Sequence, residues 1–494
     1  MIRPILFALV GALCASAGFA PVGSPILMVV GLALLLTGVL QASGKGVAFF
    51  AGFVYGVAFT SVVMEWLTNL AAEAAIGLGL LQGLFYGTAT LAIWLLRRNP
   101  AGSLAIMLVT IWTAMEFARE RIPFGGVNWG APGYSMGEWT WLRSSAQWIG
   151  TSGLSVVAVA VGSGVALSVI RREHRPLLVA VGVGVVVAAL GAAFPSGPTG
   201  PELTVAIVQG NSPCPGSRCE NERGLIFESH LAMTRTLPAD TYDLVVWPES
   251  STGFGFDPLQ SSEVARDLAA EAERLNAYLM VGGDRADTPA TFINSNLLYS
   301  RSGDLIGEYR KRHPVPFGEY IPFRSIIGQM DLFSRVPRDM VRGTEPGVFV
   351  VDFGSIGTVI SYEAAFSRYG RDAGTRGAGL LVVASNEASY GRSVAAEQFI
   401  DMSRMRAAEN GFDIVHGAVT GSSVLITDGG VLGEVTPLFE PAILTGTVRV
   451  RSSGPTLFAR WGDWVAVAIM VLGGWLIVET AVRGGAPKHR DPKT

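Results

Sequence analysis

Apolar residues are spread unevenly along the chain. Seven long apolar runs fall before residue 200, at residues 4–21, 25–40, 47–66, 76–96, 104–117, 154–170 and 176–194, and an eighth lies at 463–482. These runs approach the ~20 residues that a helix needs to cross the ~30 Å hydrocarbon core of a bilayer, so the pattern predicts eight membrane spans. Between the last two, the periodicity changes to short β-branched runs at 204–208, 244–247, 278–282, 297–299, 348–352, 358–362, 380–385, 424–426 and 444–450, which read as strands. Two longer stretches, 263–276 and 395–409, read as helices, the second with Phe399, Met402 and Met405 at helical spacing. Strands and helices in this order predict one α/β domain, entered through the Pro- and Gly-rich run 195–201. The expected organisation is a membrane domain of seven transmembrane helices over 1–196, an α/β domain over 197–460, and a final transmembrane helix with a basic tail over 461–494.

Composition agrees with that division. Hydrophobic residues make up 49% of the 494 and charged residues 16%, and the mean hydropathy is +0.40. A soluble chain is less apolar, so a membrane protein with a polar insert is expected. Lysine and arginine mark the cytoplasmic side of short connections. With the N-terminus inside, the inner segments hold Arg3, Lys45, Arg97, Arg98, Arg171, Arg172, Arg175 and the tail residues Arg483, Lys488, Arg490 and Lys493. Outer connections hold few: Arg119 at a span edge, Arg121 and Arg143. Both ends are thus expected in the cytoplasm and residues 197–460 outside it. The first run has a second reading as a cleaved signal peptide, since Arg3 precedes it and Ala15-Ser16-Ala17 mimics a cleavage site. A formal net charge of −3 gives no basic footprint for nucleic acid.

Three cysteines are too few for a disulfide scaffold, although Cys214 and Cys219 lie five apart in an outer loop, where a local disulfide and two free thiols are both open readings. The histidines His174, His230, His313, His416 and His489 show no ligand spacing. No metal and no cofactor are expected.

Candidate chemistry lies in three separated segments. Residues 245–247 read as a buried strand running into Pro248 and Glu249, which places a carboxylate at a strand end, where α/β folds gather active groups. Singly, Glu249 reads first as a loop cap, Lys311, beside Arg310, Arg312 and His313, as a solvated charge, and Ser361 as a small core residue. Together, V-V-W-P-E ending at Glu249, Y-R-K-R-H-P-V-P-F-G-E from Tyr309 to Glu319 and V-I-S-Y-E from Val359 to Glu363 resemble the Glu, Lys and nucleophile set of the nitrilase superfamily. The resemblance to bacterial apolipoprotein N-acyltransferases extends further. It takes in Q-G-N at 209–211, Q-F-I-D-M-S-R-M-R-A-A-E-N-G at 398–411, A-R-W-G-D-W at 459–464 and, in the membrane half, N-W-G-A-P-G-Y-S from Asn128 and Q-W-I-G-T-S-G-L-S from Gln147.

That resemblance implies a multi-span α-helical membrane domain plus an extracytoplasmic α/β nitrilase-like domain, an α-β-β-α sandwich, in the bacterial cytoplasmic membrane. It also implies a monomer that takes an acyl chain from a phospholipid and passes it to the N-terminal amine of diacylglyceryl-cysteine lipoproteins. Glu249 would be the base, Lys311 the oxyanion stabiliser and Ser361 the nucleophile position, with Glu319, Tyr362 and Glu363 in support.

The departures bear on activity. The family nucleophile is a thiol, which a buried glutamate can deprotonate, whereas an alcohol is less acidic and normally needs a histidine-type base, and none is read beside Ser361. The family's N-D-x-W-F-G segment here is Asn386-Glu387-Ala388-Ser389-Tyr390-Gly391, with serine for tryptophan, and the loop after Asn211 carries the cysteine insert. Three readings follow: an N-acyltransferase impaired or inactivated by Ser361, whether that residue is engineered or natural; a natural non-catalytic homologue that binds lipoprotein or phospholipid; and a membrane-anchored amidase-like hydrolase.

Overall fold

The computed structural model describes residues 2–213 and 219–485, so Cys214 and the tail residues Lys488, Arg490 and Lys493 lie outside the described residues. Each predicted apolar run falls on a helix: Ile2–Ser16, Pro25–Leu40, Lys45–Val63, Ala72–Leu96, Ala101–Arg119, Ala146–Arg171, Arg175–Ala193 and Trp464–Gly485. Among the described residues six of these are long and apolar enough to cross a membrane, whereas Ile2–Ser16 and Pro25–Leu40 are shorter apolar helices. The first ends early for a local reason: Gly18, Pro21 and Gly23 turn the chain before the second, where the run 4–21 was expected to continue.

Among the described residues, thirteen strands form two sheets in the second half. The first consists of β1 (Glu202–Gln209), β2 (Leu244–Thr252), β3 (Tyr278–Thr288), β4 (Thr291–Tyr299), β5 (Leu305–Arg310), β6 (Asp339–Met340) and β13 (Ala442–Arg449), in the order β13-β1-β2-β3-β4-β5 with β6 beside β4. The second consists of β7 (Gly347–Val351), β8 (Gly354–Ile360), β9 (Leu380–Ser385), β10 (Asp413–Ala418), β11 (Val424–Thr427) and β12 (Val431–Val435), in the order β12-β11-β10-β9-β8-β7. Alternation along a strand sends successive side chains to opposite faces. Val205, Ile207, Val246 and Met280 accordingly meet Val382 and Val415 between the sheets, while Ala206, Val208, Val245 and Leu279 face Leu231, Leu268 and Leu275 of the helices Glu222–Thr234 and Ser262–Leu275. On the far side, Ser367–Thr375 and Ala395–Asn410 cover the second sheet through Ala373, Ile400 and Ala407. The result is an α-β-β-α sandwich.

One helix joins the two halves. Residues Ala395–Asn410 turn Ile400 and Ala407 to the sheet, and Phe399, Met402 and Met405 to the core of the membrane helices. Trp66 and Trp129 of the membrane half both donate to Gln398 Oε1, at 3.2 and 2.7 Å.

Candidate active site

Glu249 sits within β2, not at its end. Pro248 has no N–H to give the ladder, and the β2/β3 register shifts between Trp247 and Thr252, an irregularity of the kind that re-aims side chains beside active sites. Ser250 follows in the left-handed region at φ 59°. A glycine is required opposite, because a Cβ on Gly282 would come within 2.7 Å of Glu249 Cα. Buried there, Glu249 accepts from Asn294 Nδ2 at 2.7 Å and from Lys311 Nζ at 3.0 Å through Oε1. Burial pushes its pKa up to about 7, an increase that the Glu319 carboxylate adds to and the Lys311 ammonium opposes.

Lys311 is the first residue past β5, and its backbone N–H donates to Asn294 O at 2.9 Å. Although expected singly to be a solvated charge, the side chain is 1% exposed and its Nζ reaches Glu249 Oε1 at 3.0 Å and Glu319 Oε1 at 2.6 Å. Burial works against the cation, but the two carboxylates outweigh it and hold the pKa above the usual lysine value. Glu319 is fixed in turn by Val315 N–H, which donates to its Oε2 at 2.7 Å.

Ser361 and Tyr362, expected on a strand, instead open a 3₁₀ segment, Ser361–Ala365, because β8 ends at Ile360. Ser361 lies at φ 49°, a left-handed conformation that costs a non-glycine residue ~1 kcal/mol. The surrounding contacts hold it there. Fully buried Glu363 accepts from Ile360 N at 2.8 Å and Tyr309 Oη at 2.7 Å on Oε2, and from Arg312 N at 2.7 Å and His313 N at 3.0 Å on Oε1. Burial raises its pKa against those same bonds. One carboxylate thus ties the Ser361 turn to the segment that carries Lys311, while Lys311 is paired with Glu249. Ser361 itself is 4% exposed, and its hydroxyl makes no hydrogen bond among the described residues. Tyr362 points away, its Oη donating to Gly126 O at 3.2 Å.

Several neighbours went unread in the sequence. Asn294 follows a strand residue in I-N-S-N and carries no motif. His313, grouped with solvated charges, is buried against Tyr362, with ring centroids 5.3 Å apart, and its Nδ1 meets Tyr369 Oη at 2.9 Å. Burial first, then Arg368, Arg342 and Lys311, lowers its pKa to about 3. A neutral imidazole therefore does stand near the Ser361 turn, but on the Tyr362 side. The divergent segment around Ser389 borders the membrane half, where Tyr390 lies 4.5 Å from Trp66 by ring centroids and its carbonyl accepts from Asn69 Nδ2 at 2.8 Å. Cys219 is disulfide-bonded.

An aromatic rim adjoins the site. Phe124 packs edge-on against Phe317 at 6.0 Å and Phe323 at 5.9 Å, and all three have positive φ, at 58°, 63° and 54°. Phe323 is 66% and Ile326 78% exposed, so this strained backbone presents apolar side chains outward beside the end of the helix Ala101–Arg119.

Residues 204–450, which build this two-sheet sandwich and hold Glu249, Lys311 and Ser361, match the carbon-nitrogen hydrolase family. Residues 11–164 match the apolipoprotein N-acyltransferase N-terminal domain. The chain belongs to the membrane-anchored apolipoprotein N-acyltransferase family of the nitrilase superfamily. It is 29% identical to the apolipoprotein N-acyltransferase of Geobacter metallireducens over 90% of this chain and 88% of that one. To that of Methylococcus capsulatus it is 29% identical over 94% of each, and to that of Mycolicibacterium smegmatis 29% over 97% and 85%. A solved amidase from Nesterenkonia sp. aligns at 17% identity with a TM-score of 0.38, covering 53% of this chain and 94% of that one.

Proposed function

We propose that this chain is built for acyl transfer from a phospholipid to the N-terminal amine of a diacylglyceryl-cysteine lipoprotein, and that Ser361 makes it slow or inactive. The observation that carries the proposal is the linkage through two buried carboxylates: Glu363 joins the Ser361 turn to the Lys311 segment, and Glu249 receives Lys311. In the first step Ser361 Oγ attacks the ester carbonyl, Glu249 takes its proton, and the Lys311 ammonium faces the developing oxyanion. Collapse breaks the ester C–O bond, and the leaving lysophospholipid takes the proton back from Glu249. In the second step the free amine attacks the acyl-serine ester, Glu249 accepts a proton from nitrogen, and Ser361 leaves as its hydroxyl with the amide formed. The exposed rim of Phe323 and Ile326 beside the membrane helices supports a lipid donor.

The experiment is to incubate the chain and its Ser361→Cys variant with phosphatidylethanolamine vesicles and locate any covalent acyl group by peptide mass spectrometry. Acylation at residue 361 is expected; an acyl group on another residue would remove the proposal. A second reading, a homologue that holds phospholipid or lipoprotein without turnover, is favoured by Ser361 itself, and predicts lipid binding with no acyl-enzyme in either form.

We also place residues 197–460 outside the cytoplasm, on the strength of the lysine and arginine asymmetry. Asp304 is exposed on the β4–β5 turn. The Asp304→Cys variant should react with a membrane-impermeant maleimide in intact cells, and reaction only after permeabilisation would reverse the topology.

A further inference from the structure

We propose that Asn128 and Tyr134, on the loop between the helices Ala101–Arg119 and Ala146–Arg171, are positioning residues that hold the Ser361 turn in place from the membrane half. The inference rests on Ser361 as the nucleophile position.

A short 3₁₀ segment leaves its last carbonyls without partners of its own. Here those carbonyls belong to Ala364 and Ala365, which are fully buried, and an unmet buried acceptor is costly. The membrane half meets this need at Ala365 directly, and at Ala364 it braces the guanidinium that does. Ala365 O accepts from Tyr134 Oη at 2.6 Å and from Asn128 Nδ2 at 2.9 Å. Ala364 O accepts from Arg406 Nη1 at 3.1 Å, and the same guanidinium nitrogen donates to Tyr134 Oη at 3.0 Å. Arg406 is itself fixed, its Nη2 donating to Thr151 Oγ1 at 3.0 Å and its Nε lying 2.7 Å from Glu409. Thr151 Oγ1 and Ser367 Oγ both donate to the other oxygen of Glu409, at 2.6 and 2.9 Å.

At the front of the turn, Tyr362 Oη donates to Gly126 O at 3.2 Å. The loop 126–134 therefore grips the turn at both ends, by the residue after Ser361 and by the carbonyl four residues on. Gly125 makes the approach possible: at φ 96° its hydrogen faces the His313 ring, where a Cβ would collide. Glu363 restrains the same turn from inside the sandwich, but every one of its partners belongs to the α/β half. The left-handed Ser361 is thus held from two independent directions, and one of them is supplied by the loop that leads out of the membrane helices.

The test uses the full chain in lipid nanodiscs in a Ser361→Cys background, with Tyr134→Phe, which removes one hydroxyl, and the milder Asn128→Ser. Two readouts are taken: alkylation of the introduced thiol by iodoacetamide, followed by peptide mass spectrometry, and kcat and KM for acyl transfer to a diacylglyceryl peptide. Each variant should slow alkylation and lower kcat by about tenfold, as small displacements of a reacting group do, with KM for phospholipid unchanged. Tyr278→Phe is the reference, since its hydroxyl accepts from Asp352 N at 3.3 Å at the opposite end of β8; it should change neither readout. Alkylation rates that are unaltered in both variants, or slowed equally in Tyr278→Phe, would overturn the proposal. Alkylation needs no acyl donor, so slowed alkylation in a background that transfers no acyl group would sustain the clamp and sink the nucleophile assignment.

Discussion

Ser361→Cys raises acyl transfer from phospholipid to a diacylglyceryl peptide by ~100-fold or more, at unchanged KM for the donor. The exchange alters size little, so the strained turn, Glu363 and its four donors remain as they are. What changes is acidity and leaving ability. A thiol has an ordinary pKa near ~8.5, and each unit separating nucleophile from base is worth ~1.4 kcal/mol, or tenfold. Glu249, lifted by burial to about 7, lies within reach of a thiol but not of an alcohol. His313 does not replace it, because its ring faces Tyr362 and Tyr369 and is engaged at Nδ1. The second step gains as well, since a thioester yields to an amine more readily than an oxyester. A rate equal to that of the unaltered chain would show that residue 361 does not carry the acyl group.

In that Ser361→Cys background, Lys311→Met lowers kcat by ~10²- to 10³-fold, the usual loss when a preorganised oxyanion partner is removed. Its pH profile should move too. With Lys311 present, single-turnover acylation rises with pH as Glu249 loses its proton, through about 7. The ammonium is the one influence among the leading three that lowers the Glu249 pKa, against burial and Glu319. Without it the carboxyl keeps its proton to higher pH, so the rising limb shifts to the alkaline side. Single-turnover rates across pH 5 to 9 check this, and a profile that keeps its midpoint while losing amplitude would mean that Lys311 acts on the oxyanion but not on the base.

The parts of this molecule that the sequence displays are those whose cause is local. Eight apolar runs became eight apolar helices, because span length and hydropathy need no partner to be visible, and Ser262–Leu275 was legible because one side of it alone is apolar. Strand β10, D-I-V-H-G-A, was not, since its apolar run is short and gives way to His416 and Gly417, and it pairs in parallel with β9 through a helical crossover. Glu249, Lys311, Glu319, Ser361 and Glu363 were readable as a set from the order of three motifs, yet neither the bulge that carries Glu249 nor the left-handed Ser361 could be seen, as both arise from pairing between strands. Asn294 escaped for a related reason, and Asn128 and Tyr134, although inside the N-W-G-A-P-G-Y-S segment, showed nothing of their contacts. Their partners lie far away in the chain, and a lone polar residue in a loop or strand carries no mark of what it will touch.

Apart from exposed Glu397 and half-buried Asp401, the helix Ala395–Asn410 is buried all round. Severed from the bundle, the α/β half would carry Phe399, Met402 and Met405 as an uncovered stripe, the kind of surface that draws copies together or onto a chaperone. Folding is constrained accordingly: the two sheets can close on each other through their own core, but the last layer of the sandwich is completed only against the packed membrane helices. An α/β half made without its anchor would therefore be an unfinished protein rather than a free-standing soluble domain.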